Sequence, residues 1–281
     1  MVFKKLFPSK HWLPGLLALL LIPASCANKP GEFSAPSTPS DGQAWWAPAQ
    51  GDRYQIQLDG YPLDLDVAVD IFELDLFEAP PEAFQALHAR GLKVVCYINA
   101  GAWENFRPDA DAFPAEVIGQ DYTGWPGEKW LDISRFAAFS KLMEKRFDLA
   151  ALKGCDALEM DNIDGYQQAT GFAITSQHQL EYNLWLSLQA HKRGLGIGLK
   201  NNPDQVPELL PYFDFAVVED CAVYDECDLF LPFVKQGKAV FQIEYTDNFT
   251  STHEFCAQAS ANGTSGLLKH RILDSWVIFC E

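Results

Sequence analysis

Residues 157–166 read Ala157-Leu158-Glu159-Met160-Asp161-Asn162-Ile163-Asp164-Gly165-Tyr166. Period-two alternation over the first five places Glu159 and Asp161 on one face of a strand. A charged side chain inside a folded core must be paired or be put to use. Just upstream, residues 135–152 carry Phe136, Phe139, Leu142, Met143 and Phe147 at helical spacing and stop near Gly154. Downstream, residues 176–193 repeat that periodicity and stop at Gly194, directly before the strand-like Gly196-Ile197-Gly198-Leu199-Lys200. Alternating helix and strand implies a parallel sheet.

Further strands are expected on both sides, at 54–58, 69–75, 93–99 and 130–133 before this unit, and at 215–219 and 239–244 after it. With 157–161 and 196–200 they make eight. The run Pro81-Glu82-Ala83-Phe84-Gln85-Ala86-Leu87, stopped by Gly91, supplies another helix. Eight strands in one α/β domain predict a TIM-like (β/α)8 barrel. An open doubly wound sheet is the alternative with the same element order. The 281 residues suffice for one barrel-sized domain, and a hydrophobic fraction of 48% supplies its core.

Polar residues gather where these strands end: Asp59, Asp75, Tyr97 with Asn99, Asp132, Asp161 with Asn162 and Asp164, Lys200 with Asn201, Glu219 with Asp220, and Glu244 with Tyr245. In a parallel barrel all those ends open into one mouth, where such folds build their active sites. A single strand-end Asp is ordinarily a helix cap. Capping explains one strand, and it does not explain nearly all of them. Val217-Val218-Glu219 is an apolar strand ending in a carboxylate, as 157–161 is. Two carboxylates facing each other across a mouth are what glycoside hydrolysis needs: one protonates the leaving oxygen, the other attacks the anomeric carbon or activates water.

The chain begins as an exported protein does. Lys4, Lys5 and Lys10 precede a short apolar stretch over 13–22, and Ala24-Ser25-Cys26-Ala27 supplies small residues for cleavage. Residues 1–27 are read as the signal, 28–44 as a Pro/Ser/Gly-rich tether and 45–281 as the barrel domain. Cleavage before Cys26 instead would yield a lipoprotein, with the lipid on Cys26 as its membrane contact. The expected location is secreted or cell-surface, and the expected state a monomer. Setting Cys26 aside leaves six cysteines, which allow fifteen pairings. Cys221 and Cys227 are close enough in sequence for a small staple. Cys96 and Cys155 lie in apolar runs that suit buried free thiols. No Cys/His spacing suggests zinc, and neither metal nor cofactor is expected. A net charge of −17 argues against a nucleic-acid partner and is compatible with a cationic one.

Several stretches, in order, resemble glycoside hydrolase family 114, the endo-α-1,4-polygalactosaminidase family. They are residues 95–104 (Val-Cys-Tyr-Ile-Asn-Ala-Gly-Ala-Trp-Glu), Trp125-Pro126-Gly127-Glu128-Lys129-Trp130-Leu131-Asp132, residues 159–166, Gly198-Leu199-Lys200-Asn201, Val218-Glu219-Asp220-Cys221 and Ile243-Glu244-Tyr245. The resemblance implies a TIM-like barrel, no required metal and cleavage within partly deacetylated galactosamine chains. It also implies Asp161 and Glu219 as the catalytic pair, with Asp161 as nucleophile, Glu219 as general acid/base and net retention. The matched stretches add Glu104, Trp130, Glu159 and Tyr166 to the candidate substrate-binding residues. The family pattern differs at two neighbours of the pair, where Gln would be expected for Asp220 and Asn for Val218. Unacetylated galactosamine carries an ammonium group, which Asp59, Asp75, Asp132, Asp164 and Glu244 would attract. The competing reading pairs those carboxylates with Arg107, Lys129 and Lys200. The alternatives in function are a hydrolase of another exopolysaccharide and a polysaccharide-binding barrel that does not cut.

Overall fold

The computed structural model describes residues 45–280. The expected export signal and tether therefore lie outside the described residues. Eight parallel strands follow one another around a nearly closed barrel: β1 (Tyr54–Gln57), β2 (Ile71–Asp75), β3 (Lys93–Asn99), β7 (Ala157–Asp161), β8 (Gly196–Lys200), β9 (Phe215–Glu219), β10 (Val240–Tyr245) and β11 (Ser265–Lys269). β12 (Val277–Phe279) adds antiparallel to β11. No ladder joins β11 to β1. The seam is closed by loop contacts instead: the Leu58 amide donates to the Leu273 carbonyl at 2.9 Å, and Lys269 Nζ donates to Gln55 Oε1 at 3.0 Å.

One of the eight expected strands is misassigned. Trp130 belongs to β6 (Glu128–Leu131), which pairs antiparallel with β4 (Ala102–Glu104) and β5 (Ile118–Asp121) in a separate three-stranded sheet. That sheet is inserted between β3 and β7. The missing barrel strand is β11, whose Ser-Gly-Leu-Leu-Lys sequence is short and lacks β-branched residues. The helix expected over 135–152 is broken: a 3-10 turn at Ile133–Ala138 ends at Phe139, and α2 (Ser140–Lys153) starts after it. The two other expected helices form as α1 (Pro81–Ala89) and α3 (Ser176–His191).

Alternation divides the core into two layers. Phe72, Leu74, Val94, Leu158, Met160, Ile197 and Leu199 point outward under Phe84 and Leu87 of α1, Met143 and Phe147 of α2, and Tyr182 and Leu186 of α3. Tyr54, Ile71, Val95, Ala157, Phe215, Val217 and Phe241 point inward and pack together as an apolar floor. Tyr54 stacks on Phe241 at 4.2 Å between centroids. Gly198 is required here: a Cβ on it would sit 2.4 Å from the Phe215 ring. Above this floor the inward positions turn polar, starting with Glu73 and Glu159, both fully buried.

The strands are also cross-linked. Cys221 and Cys227 form the expected staple. Cys96 and Cys155 are not free thiols; they bridge β3 to the loop entering β7, across 59 residues. Cys256 joins Cys280, tying the helix after β10 to the end of the chain. Three disulfides are the signature of an oxidising compartment.

Candidate active site

Asp161 and Glu219 end β7 and β9, and β8 lies between them. Only Lys200 of β8 has an inward side chain of any length, because the inward positions below it are Gly196 and Gly198. Its ammonium rises between the two carboxylates, 3.4 Å from Asp161 Oδ1 and 3.2 Å from Glu219 Oε2. From below, Glu159 Oε1 holds it at 2.8 Å. Burial alone would lower the Lys200 ammonium, but the carboxylates outweigh burial and hold it well above its usual value. Burial also pushes Glu159 up to about 7 against the pull of Lys200. Deeper still, Glu73 has no hydrogen-bond partner for either oxygen, and burial beside Glu159 pushes its carboxyl well above the usual carboxylate range.

Each mouth carboxylate has its own orienting groups. Tyr97 Oη donates to Asp161 Oδ2 at 2.9 Å, and Asn162 Nδ2 lies 3.3 Å from the same oxygen. Asn162 sits at φ 60 and presses against Gly101, where any Cβ would collide with its carbonyl. Glu219 accepts from Tyr245 Oη, and its amide donates to Asn201 Oδ1 at 2.9 Å. Arg271 lies 4.1 Å over the Tyr245 ring and is gripped by Asp220 Oδ2 at 2.8 Å. Asp220 thus holds an arginine over the tyrosine that orients Glu219. Asp161 and Glu219 are 20% and 22% exposed, so both can meet a ligand.

A cavity of about 670 Å3 opens above them. It brings together Asp59, Asp75, Tyr97, Glu104, Trp130, Asp161, Asn162, Asp164, Lys200, Asn201, Glu219 and Tyr245 from the sequence reading. Asn99 and Glu159 support it from beneath. Asn99 Oδ1 accepts from Asn162 Nδ2 at 3.1 Å, and its own amide donates to Glu128 Oε2 at 3.1 Å.

Three expected mouth residues are elsewhere. Glu244 alternates to the outer face of β10, where it is buried and accepts from the Ala222 amide at 2.9 Å and from Gln242 Nε2 at 3.0 Å. It anchors the turn after Glu219 and has no access to the mouth. Asp132 is buried at the N-cap position of the 3-10 turn, where its side chain accepts from Ser134 Oγ and caps no backbone amide. Tyr166 hydrogen-bonds Gln167 and Asn202 outside the cavity lining. Cys221, Cys227 and Glu244 cluster as metal ligands would, but the two sulfurs are bonded to each other and offer no thiolate.

The acidic groove is partly neutralised. Arg107 clasps Asp75 through two nitrogens, at 2.9 and 2.6 Å, and Glu104 through two more contacts, at 2.8 and 2.7 Å. Lys129 pairs with Asp121, not with a mouth residue. The lining also includes residues that were not among the expected site residues: Tyr61, Phe106, Tyr122, Trp125, Glu128 and Arg271. Tyr61, Phe106 and Trp125 are 42%, 54% and 47% exposed, an aromatic rim suited to sugar faces.

Paired carboxylates at alternate strand ends of a parallel barrel, beneath an aromatic-rimmed cavity, define a TIM-barrel glycoside hydrolase. The sequence profile of glycoside-hydrolase family GH114 matches residues 35–281, and the chain belongs to that family. Among solved structures it is similar to Aspergillus fumigatus Ega3 in complex with galactosamine, at 36% identity over 84% of this chain and 98% of that one, with a TM-score of 0.78. The glycoside hydrolase domain of PelA from Pseudomonas aeruginosa shares the fold at 16% identity, over 80% of this chain and 96% of that one, with a TM-score of 0.60. No curated protein matches the chain.

Proposed function

We propose that this glycoside hydrolase is endo-acting and cleaves α-1,4-linked, partly deacetylated galactosamine polysaccharide with retention, through Asp161 as nucleophile and Glu219 as general acid/base. The observation that carries the mechanism is the shared ammonium. One oxygen of each carboxylate lies within 3.4 Å of Lys200 Nζ, so those oxygens are at most twice that distance apart. Retaining enzymes hold their carboxyl groups about 5–5.5 Å apart, and inverting enzymes need about 6.5–9.5 Å to admit water. That bound admits the retaining spacing and reaches only the lower edge of the inverting range, so it is compatible with direct attack by Asp161.

Asp161, held by Tyr97 and Lys200, attacks the anomeric carbon as Glu219 protonates the departing oxygen. Glu219 then takes a proton from a water as that water attacks the anomeric carbon, which breaks the bond to Asp161 and frees the sugar with its original anomer. The likeness to a protein crystallised with galactosamine, the residual negative charge of the mouth and the family support the amino-sugar substrate. Three disulfides and the leader-like residues 1–27 support export to the extracellular space or the cell surface.

Incubation with partly deacetylated galactosaminogalactan, followed by NMR of the first-formed product, tests this reading. The expected result is a retained anomer from the wild type and no product from Asp161→Asn. An inverted anomer overturns the roles, and near-normal activity in Asp161→Asn overturns the choice of residue.

A further inference from the structure

The inserted sheet has two faces, and only one of them belongs to the mouth. Across the β4–β6 ladder Ala102 lies opposite Trp130, Trp103 opposite Lys129 and Glu104 opposite Glu128. Alternation sends Glu104, Glu128 and Trp130 to the face that lines the mouth, and Trp103 and Lys129 to the other. That outer face carries a cavity of about 380 Å3, with Trp103 in its wall and the turn between β5 and β6 along its edge. Tyr122, Trp125 and Glu128 line both cavities, so the two meet at this turn.

The shared wall is aromatic and held in place. Trp130 in the mouth packs on Tyr122 at 4.6 Å between ring centroids, and Trp125 stands half-exposed on the turn. The turn is closed by its own backbone: the Tyr122 amide donates to the Glu128 carbonyl at 2.9 Å, and the Glu128 amide to the Trp125 carbonyl at 3.1 Å. The Asn105 amide ties it to the end of β4 through the Gly127 carbonyl at 2.9 Å. Trp103 is fixed as well, its Nε1 donating to the Ala110 carbonyl at 3.0 Å. Lys129 of the same face is neutralised by Asp121 at 2.6 Å. Large apolar rings left partly in water on an ordered surface mark a place that a ligand covers.

We propose that this outer groove is a second saccharide-binding site, which holds units of the same galactosamine chain that lies in the mouth. This rests on the galactosaminidase reading above. The occupant follows from continuity, because a chain leaving the mouth across Tyr122 and Trp125 passes onto Trp103. A galacto-configured ring, with its axial O4, leaves C3 to C6 as one apolar face, and such a face stacks on an indole. Stacking reads the ring and not its nitrogen. With Lys129 and Asp121 cancelling each other, the groove takes acetylated and unacetylated units alike. The strand order β3-β7-β8-β9 puts the inserted sheet, which follows β3, beyond Asp161 as seen from Glu219. The units held there are therefore on the attacked side of the cut, towards the non-reducing end.

Binding decides this without hydrolysis, in the full chain carrying Asp161→Asn. The probes are partly deacetylated galactosaminogalactan, followed by affinity electrophoresis, and a galactosamine disaccharide, which the mouth accommodates by itself, followed by calorimetry. Adding Trp103→Leu is expected to weaken polymer binding about tenfold, the scale of one aromatic stack, and to leave disaccharide binding unchanged. Trp103→Phe, which keeps an aromatic face, retains most of the affinity. The loss factor should stay the same as the acetylated fraction of the polymer is varied. Polymer binding indifferent to Trp103→Leu, or an equal loss on the disaccharide, overturns the site, and a loss factor that falls with acetylation overturns the stacking mode. Oxidative footprinting of the Asp161→Asn chain leaves Trp103 in place: polymer should shield it and the disaccharide should not, and equal oxidation with and without polymer overturns the site. An Asp161→Asn chain that binds no galactosamine polymer overturns the substrate reading and this site together, whereas polymer binding that ignores Trp103 overturns this site alone.

Discussion

Lys200 and Glu159 form a buried ion pair, 2.8 Å from Nζ to Oε1, directly beneath Asp161 and Glu219. The pair fixes one positive charge between two negative ones that would otherwise repel. On the proposed mechanism Lys200 acts as a positioning residue for both carboxylates.

Replacing Lys200 by Met is therefore expected to lower kcat by about 10²–10³-fold, the scale of losing one preorganised charge in a water-poor site. Glu159 escapes the cost of an unpaired buried charge by protonating, so the fold survives. KM changes little, since the loss falls on the transition state. Steady-state kinetics separate the two parameters. An unchanged kcat with a raised KM would assign Lys200 to substrate binding instead.

The disulfides differ in what they do for stability. The Cys96–Cys155 bridge closes 59 residues, and the Cys221–Cys227 bridge closes six. Loop-closure entropy gives about 4 kcal/mol for the first and about 2 kcal/mol for the second. Urea denaturation should show the larger loss for the Cys96→Ala/Cys155→Ala double variant. The Cys221→Ala/Cys227→Ala variant should lose activity out of proportion to stability, because that loop carries the Ala222 amide and the Asp220–Arg271 contact next to Glu219.

Stability should fall as pH rises from 5 to 8. Folding raises the carboxyls of Glu73 and Glu159 above their unfolded values, so the folded chain binds more protons than the unfolded one. Their contribution is fully present below the unfolded carboxylate range, near 4.5, and is lost as pH climbs through the folded values, about 7 for Glu159. Glu73→Gln carries no charge at any pH. It should raise the melting temperature at pH 8 and leave it nearly unchanged at pH 5. A variant with no advantage at pH 8 would mean that Glu73 is ionised and solvated after all.

Much of this architecture was legible because barrels write a simple code. Alternation and polar strand ends found seven of the eight barrel strands, and Asp161, Lys200, Glu219 and Tyr245 all reach the mouth. The failures share a cause. Antiparallel β6 carries the same local pattern as a barrel strand, and only its pairing with β4 and β5 distinguishes it. β11 is short and glycine-bearing, so its local signal is faint. Glu244 was misplaced by one step of alternation, which sends a side chain through the wall of a barrel. Arg107, Glu128 and Arg271 come from loops and the inserted sheet, where no periodicity says which way a side chain points. Glu128 did lie within a stretch already matched to the family, and its position facing Glu104 across two short strands became visible only in three dimensions.

The charge state of Glu128 yields the last prediction. In the free enzyme its carboxyl titrates at about 8, so at pH 7 it is mostly protonated. On the proposed function the substrate brings an ammonium into this mouth, and placed against Glu128 it favours the ionised form and brings that value down. Galactosamine binding at pH 7 should then expel a proton from Glu128. The released fraction approaches one below pH 8 and vanishes above it, where the carboxyl is already ionised. Binding should also tighten as pH rises from 6 towards 7, because less of the binding energy goes into deprotonating Glu128, and should weaken again once the sugar's own ammonium loses its proton. Calorimetry in two buffers of different ionisation enthalpy counts the protons directly. N-acetylgalactosamine, which has no ammonium, should release none, and Glu128→Gln should release none with either sugar. Proton uptake on galactosamine binding, or the same release from Glu128→Gln, would show that another group on the wall accepts the ammonium, with Asp164 the next to test.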